Sequence, residues 1–255
     1  RISGPGIGDN SVGVASLIGL VWLLRERGIN LPGDLWLVGN VGEEGLGDLV
    51  GMRAVVDRFQ DQVLAYIILE GMALGQIYHR GLGVTRYRIR ARTQGGHSWV
   101  HHGRPSAIHE LARLVCQLTE IPLPVKPRTT LNVGKIEGGL SINTIAGSAS
   151  LELDLRSEDE RALQTLVDQV ERTVFTYDHP ETRLEIKEIG SRPVGEIPAD
   201  HPLVRLAVKI ADDLGLNSRL NIGSTDANIP LSRGLPAVCI GLTTGQGAHT
   251  PDEYI

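Results

Sequence analysis

Two cysteines, two methionines and two phenylalanines in 255 residues exclude several kinds of protein at the outset. Cys116 and Cys239 lie far apart, in a helical and a strand-like stretch. They show neither metal-type spacing nor a disulfide framework, and read as small core residues in a reducing compartment, the cytoplasm. Aromatic residues are as scarce, with 2 Phe, 3 Trp and 5 Tyr, which argues against a base-stacking platform for single-stranded nucleic acid. Neither sign of charge dominates: 25 basic residues stand against 30 acidic ones, a net of −5. That balance calls for no nucleic acid and no anionic membrane surface. No uninterrupted apolar run reaches membrane-spanning length; the helix after Asp9 is apolar but short and ends in Arg25-Glu26-Arg27. There is no signal-peptide pattern. The chain opens on Arg1 inside a glycine-rich loop rather than on Met, and the expectation is that residues precede it.

What is present is an α/β pattern punctuated by acids. A chain of this length buries one large or two smaller cores. Gly4-Pro-Gly-Ile-Gly-Asp9-Asn10 is a glycine-rich turn ending in an acid, with Asn10 or Ser11 as N-cap for a helix from Val12 to Arg27. The glycines lack both the GxGxxG spacing and a following Lys-Ser/Thr, so they make a weak phosphate cradle. Leu35–Val41 reads as a short buried strand that stops at glycines and then presents Glu43 and Glu44. A helix from Leu49 to Phe59 follows, then a second buried strand, Leu64–Glu70, again with an acid at its carboxyl end. Ligands of α/β sheets gather at the carboxyl ends of strands. Three successive acidic stations there (Asp9, Glu43/Glu44 and Glu70) point to a metal site; the plainer alternative is a set of solvated turns.

The middle of the chain changes period. Thr85–Arg92 alternates strictly, with Arg86, Arg88, Arg90 and Arg92 on one face. A loop carrying Gly95-Gly-His97-Ser leads to a helix with Ile108, Leu111, Ala112, Val115 and Leu118 inward. Strands Thr129–Glu137 and Ala149–Arg156 follow, separated by Gly138-Gly-Leu-Ser-Ile-Asn143. Ser157-Glu-Asp-Glu160 reads as a capping box opening a helix, and Arg183–Ile189 as a fourth strand. The order β-α-β-β-α-β is the ferredoxin-like arrangement, in which the first and third strands are central neighbours. The arginine face of the first would then meet Glu152 and Asp154 of the third, a paired surface rather than a nucleic-acid one. Beyond Arg192-Pro193 the α/β pattern resumes. Asp200 caps a helix with Leu203, Leu206, Ala207, Ile210 and Leu214 inward; the turn Gly223-Ser224-Thr225-Asp226 and the strand Ala237–Leu242 come next. The last loop carries His249.

With these stations in place, the sequence resembles the aminoacylase/carboxypeptidase family of co-catalytic zinc hydrolases, which includes peptidase T, acetylornithine deacetylase and succinyl-diaminopimelate desuccinylase. The matching pieces run in register along nearly the whole chain: Gly-Ile-Gly-Asp9-Asn-Ser-Val-Gly, Gly42-Glu43-Glu44-Gly-Leu-Gly, Leu69-Glu70-Gly, Gly95-Gly-His97-Ser, Gly138-Gly-Leu-Ser-Ile-Asn143, Leu153-Asp-Leu-Arg156, Gly223-Ser-Thr-Asp226 and Gly247-Ala-His249-Thr-Pro-Asp-Glu253. The resemblance implies an α/β catalytic domain of zinc-peptidase type, residues 1–78 and 191–255. A ferredoxin-like βαββαβ lid and dimerisation domain, 79–190, interrupts it. It also implies two zinc ions per subunit, with Co2+ or Mn2+ as substitutes: Asp9 bridging, Glu44 and His249 on one ion, Glu70 on the other. Glu43 would be the general base. His97, Asn143 and Arg156 resemble the lid residues that hold the substrate carboxylate or the oxyanion, His97 acting in the partner subunit of a homodimer. Ser224, Thr225 and Asp226 resemble a substrate-facing loop. One departure is visible: the family's His-x-Asp metal motif lies upstream of the point where this chain begins, leaving three protein ligands for one ion and two for the other.

The implied reaction is hydrolysis of an amide bond in a small peptide or N-acyl amino acid. The competing reading is a non-catalytic or truncated relative that binds a ligand or dimerises without turnover. Arg156 has a plain alternative in cross-strand pairing, Asn143 as a turn former, and His97 as one of several histidines with His101 and His102.

Overall fold

The computed structural model describes residues 1–177 and 180–255. In chain order it holds α1 (Val12–Glu26), α2 (Val50–Phe59), β1 (Tyr66–Leu74), β2 (Gln76–Gly81), β3 (Gly83–Thr93), β4 (Gly96–His97), α3 (Ala107–Thr119), β5 (Thr129–Gly138), β6 (Thr144–Ile145), β7 (Ser148–Ser157), α4 (Glu160–Tyr177), β8 (Thr182–Arg192), β9 (Gly195–Glu196), α5 (Pro202–Asp213), β10 (Arg219–Gly223), α6 (Asn228–Ser232) and β11 (Ala237–Gly241). Two compact units result: Arg1–Gly81 with Gly195–Ile255, and Leu82–Val194.

The inserted unit follows from its period-two strands. Its four-stranded sheet has the order β5-β7-β3-β8, antiparallel throughout, which is the ferredoxin-like arrangement. Alternate residues Tyr87, Ile89 and Ala91 of β3 and Leu151, Leu153 and Leu155 of β7 turn to one face, where α3 and α4 cover them. The other face carries the paired charges that the alternation predicts: Arg86 Nε lies 3.2 Å from Asp154, and Arg88 Nη2 2.7 Å from Glu152. Each such half-exposed pair contributes about 0.2–1 kcal/mol.

Several local details differ from the sequence reading. In α3 the buried stripe is Ala107, Glu110, Leu111, Leu114 and Leu118, so Leu114 replaces Ile108 and Ala112; the buried Glu110 carboxylate is matched by Arg113 at 2.7 Å. Helix α4 is capped by Asp159, whose Oδ1 accepts the Ala162 N–H at 2.8 Å, while Ser157 only braces the Asp159 N–H. In the same way His201, not Asp200, caps α5 through Nδ1, which accepts the Leu203 N–H. Helix α5 is apolar on more than one side; packing selects Val204 and Ala211 and leaves Leu206, Ile210 and Leu214 exposed. Cys239 is a core residue, but Cys116 is exposed.

The larger unit is built on a five-stranded sheet, order β1-β11-β2-β10, with β9 added beside β2. Strands β1 and β11 run parallel, β11 and β2 antiparallel, β2 and β10 parallel. Its core gathers Met52 and Val56 from α2, Ile68 from β1, Ile77 from β2 and Val238 and Cys239 from β11. Leu35–Val41 is a correction: among the described residues no strand pairs with it, and Trp36 and Val41 are 59 % and 75 % exposed. A run of apolar residues becomes a strand only when another segment supplies its ladder. Here Trp36 packs on Phe59 of α2, ring centroids 5.0 Å apart, and the Val41 carbonyl accepts the Gly51 N–H.

The helical stretch Ile7–Glu26 runs 20 residues, longer than the sequence reading allowed, and its length and apolar composition make it a candidate for crossing a membrane on those two counts alone. Only Val12–Glu26, 15 residues, is α-helical, and Asp9 and Asn10 interrupt what precedes it with non-helical backbone. Fifteen residues rise roughly 22 Å, short of the ~30 Å of a bilayer core.

Candidate metal centre

Glycines at both ends close the turn that holds the adjacent acids. Gly42 takes a φ of +81°, and its carbonyl accepts the Leu49 N–H at 2.8 Å. A Cβ on Gly47 would stand 2.6 Å from the Gly42 backbone, so only glycine lets the two ends meet. Glu44 projects exposed from this turn and Glu43 is half-buried.

Strand β1 supplies the second station. Its pairing with β11 slips between Glu70 and Leu74, both of which face Gly241. Bulges of this kind re-aim side chains beside functional sites. The Asp9 loop rests on the bulge: Asn10 Nδ2 donates to the Leu69 carbonyl at 2.6 Å, and a Cβ on Gly71 would fall 1.5 Å from the Gly8 carbonyl oxygen. Asn10 also caps α1, its Oδ1 accepting the Gly13 N–H at 3.1 Å. Gly71→Ala is therefore expected to destabilise the protein by more than about 3 kcal/mol, since backbone, not a mobile side chain, must yield. Urea unfolding measures it; a loss under about 1 kcal/mol would mean that the loop is free to move off β1.

From the opposite end of the chain, His249 enters on a left-handed backbone, φ +63°. Its Nε2 lies 3.3 Å from Asp9 Oδ2 and its Nδ1 3.8 Å from Glu44 Oε2. One ligand atom from each of Asp9, Glu44 and His249 lies within 4.8 Å of the others. The three line an open cleft of 360 Å³ with Pro5, Gly6, Thr250, Pro251 and Glu253. Glu70 stands outside this trio but feels it: burial, and then the Asp9, Glu43, Asp226 and Glu44 carboxylates, push its carboxyl up to about 8. Asp226 is buried and accepts a hydrogen bond from Asn40 Nδ2 at 2.8 Å. Thr225 Oγ1 accepts the Ala227 N–H, and its own N–H donates to Asn228 Oδ1, so the Ser224–Asp226 turn is held from below.

In the inserted unit, His97 of β4 pairs with Thr144 of β6, and the Ser98 N–H donates to the Asn143 carbonyl at 2.9 Å, bringing His97 and Asn143 onto one small ribbon. Both are exposed. Nδ1 of His97 accepts the N–H groups of Trp99 at 3.2 Å and Val100 at 3.4 Å, while the His97 N–H donates to His101 Nδ1. The Asn143 Oδ1 accepts from Ser141. Arg156 forks onto Asp154 of its own strand through Nε at 2.7 Å and Nη2 at 3.1 Å.

Sequence reasoning gave no role to Glu253, whose buried carboxylate accepts the N–H groups of Gly6, Gly8 and Asp9. The only signal was its place in the same short segment as His249.

Residues 80–180 match the model of the peptidase dimerisation domain of the M20 type. A peptidase M20 domain-containing protein of Schizosaccharomyces pombe is 27 % identical over 263 residues, covering 100 % of this chain and 59 % of its own length. The chain is similar to the M20 peptidases. An acetylornithine deacetylase of Proteus mirabilis is 28 % identical over 183 residues, 66 % of this chain and 45 % of the deacetylase. In fold it is similar to the crystal structure of a tripeptidase from Staphylococcus aureus, with a TM-score of 0.78 at 22 % identity over 97 % of this chain and 65 % of that one. The architecture is thus an α/β domain interrupted by a ferredoxin-like domain, the fold of that tripeptidase, and the inserted unit is the part that matches the dimerisation-domain model.

Proposed function

We propose that this protein is a metal-dependent hydrolase that cleaves an amide bond in a small peptide or an N-acyl amino acid. The observation that carries the reading is the convergence of Asp9, Glu44 and His249 from three separate loops. Two carboxylates and an imidazole are a donor set suited to Zn2+, with Co2+ or Mn2+ as substitutes, so the residues fit the ion. In this reading Asp9 and Glu70, a half-buried acid crowded by other acids, would hold a second ion. A divalent cation bound here supplies an acidified water and a polarised carbonyl.

Glu43 handles the proton. Next to the ligand Glu44 and half-buried, it accepts the proton of the attacking water and returns it to the leaving nitrogen. The tetrahedral oxyanion needs a fixed donor. His97 is proposed for it, because backbone N–H groups occupy its Nδ1 and leave Nε2–H as the donor. Arg156 Nη1, outside the fork with Asp154, and the Asn143 amide are proposed to hold a substrate carboxylate, with the Ser224–Asp226 turn beside the substrate. The inserted unit is proposed to form a homodimer, His97 serving the partner's site, in the cytoplasm.

The relatives include a deacetylase and, by fold, a tripeptidase, and the test takes both chemistries. A panel of dipeptides, tripeptides and N-acyl amino acids is assayed with the metal-loaded protein and with chelator. Hydrolysis of at least one class that chelator abolishes and zinc restores is expected. Metal-loaded protein that hydrolyses nothing in the panel favours the non-catalytic alternative.

A further inference from the structure

The acid that the proposed chemistry leaves unused is Glu253. It is 1 % exposed, and it belongs to the loop that carries His249. Both of its oxygens are spoken for: Oε1 accepts the Gly8 and Asp9 N–H groups, each at 2.7 Å, and Oε2 accepts the Gly6 N–H at 2.9 Å. Successive N–H groups converging on one anion form a nest, and charge-assisted bonds of this length are the strong kind. The two segments are laced further by the Gly4 N–H donating to the Glu253 carbonyl and by reciprocal bonds between Ile2 and Ile255. Glu253 borders the same cleft but is not one of the clustered ligand candidates, which are Asp9, Glu44 and His249. What it does have is a grip on the main chain of Asp9 from a position 244 residues away.

The arrangement couples two proposed ligands. The Asp9 N–H is fixed by Glu253 Oε1, and the Asp9 carboxylate reaches His249 Nε2 at 3.3 Å. His249 rises from the same short loop as Glu253, with a backbone N–H of Thr250 closing onto the Gly247 carbonyl and the Glu253 N–H onto that of Thr250. Shifting the Glu253 carboxylate therefore shifts Asp9 against His249. The site is built for that carboxylate: a Cβ on Gly8 would meet Glu253 Oε1 at 3.0 Å and Met72 Cγ at 2.9 Å.

We propose that Glu253 is the positioning residue of the metal centre: by clamping the Gly6–Asp9 main chain it sets Asp9 against His249, and so sets the affinity and geometry of the ion without touching it. The proposal rests on the metal-site reading above. Partners that orient ligands from behind are worth about 10–100-fold in metal affinity.

The test is Glu253→Gln, which keeps the shape but turns an NH2 group toward the Gly6 N–H, donor against donor. Zinc affinity is measured on the folded protein by competition with a chromophoric chelator. The visible absorption of the Co2+-loaded protein and the melting temperature of the metal-free protein are recorded beside it. Zinc binding about 10–100-fold weaker, with a changed Co2+ spectrum, is expected. A lower melting temperature with wild-type zinc affinity and Co2+ spectrum would reduce Glu253 to a structural residue and overturn the proposal. Should the variant not fold, Gly8→Ala, which presses on the same carboxylate, is read by the same two outcomes. Wild-type protein that takes up neither ion removes the metal-site reading and the clamp with it, whereas equal binding by wild type and variant removes the clamp alone.

Discussion

Glu43→Gln is expected to lower turnover by about 10²–10⁴-fold while leaving the metal content unchanged. The amide is nearly isosteric with the carboxylate, so the glycine-bounded turn and its neighbour Glu44 keep their places, but it cannot accept the water proton at neutral pH. An equal fall in kcat and kcat/KM, with KM held, marks a group that acts only in the transition state. The comparison with Glu44→Gln separates the two adjacent acids. That change removes one of the three donors of the Asp9, Glu44, His249 trio, so it should cost metal as well as rate. If Glu43→Gln retained wild-type turnover, Glu43 would not be the base; if it lost the metal, the roles of Glu43 and Glu44 would be exchanged.

The second large effect is on stability. In metal-free protein the Glu70 carboxyl is pushed up to about 8 from 4.5, by burial first and then by Asp9, Glu43, Asp226 and Glu44. Between those two pH values the folded chain holds a proton that the unfolded chain has released. Stability therefore falls as pH rises from about 4.5 through 8, because the folded state must give that proton up into a crowd of negative charge. Across that whole range the loss amounts to at most about 5 kcal/mol. Glu253 acts with the opposite sign and in a different window. Its carboxyl is held low by the Asp9, Gly6 and Gly8 N–H groups, so its stabilisation is present above the unfolded value of 4.5 and is lost only in more acidic solution. Chelator-treated protein unfolded in urea at a series of pH values should trace the Glu70 decline. Glu70→Gln should flatten it, and zinc should oppose it by supplying the missing positive charge. A metal-free stability that is level across this range would mean that Glu70 does not sit among those carboxylates in solution.

The parts of this protein that are legible from sequence are those whose signal is local. Strand β3 alternates arginine with Tyr87, Ile89 and Ala91, and that period alone assigns one face to the core and the other to Glu152 and Asp154. The four-strand order follows because only one common arrangement places those faces together. Leu35–Val41 misleads for the converse reason. Its apolar run resembles a buried strand, yet strandhood depends on a ladder partner, and sequence says nothing of whether one lies alongside. The caps of α4 and α5 are displaced by one or two residues because Ser157 and Asp159, or Asp200 and His201, are each competent and only the chain's entry angle chooses between them. In the candidate site, Asp9, Glu44 and His249 stand out as polar residues at glycine-bounded stops. Glu253 does not, since its meaning lies in three main-chain N–H groups at the other end of the chain.

Anomalous X-ray diffraction at the zinc edge, on crystals of the zinc-loaded protein, tests the central claim most directly. A peak about 2.0–2.2 Å from a carboxylate oxygen of Asp9, a carboxylate oxygen of Glu44 and a ring nitrogen of His249 is the predicted result. A zinc peak elsewhere on the protein, with none in the cleft between these three residues, would contradict it.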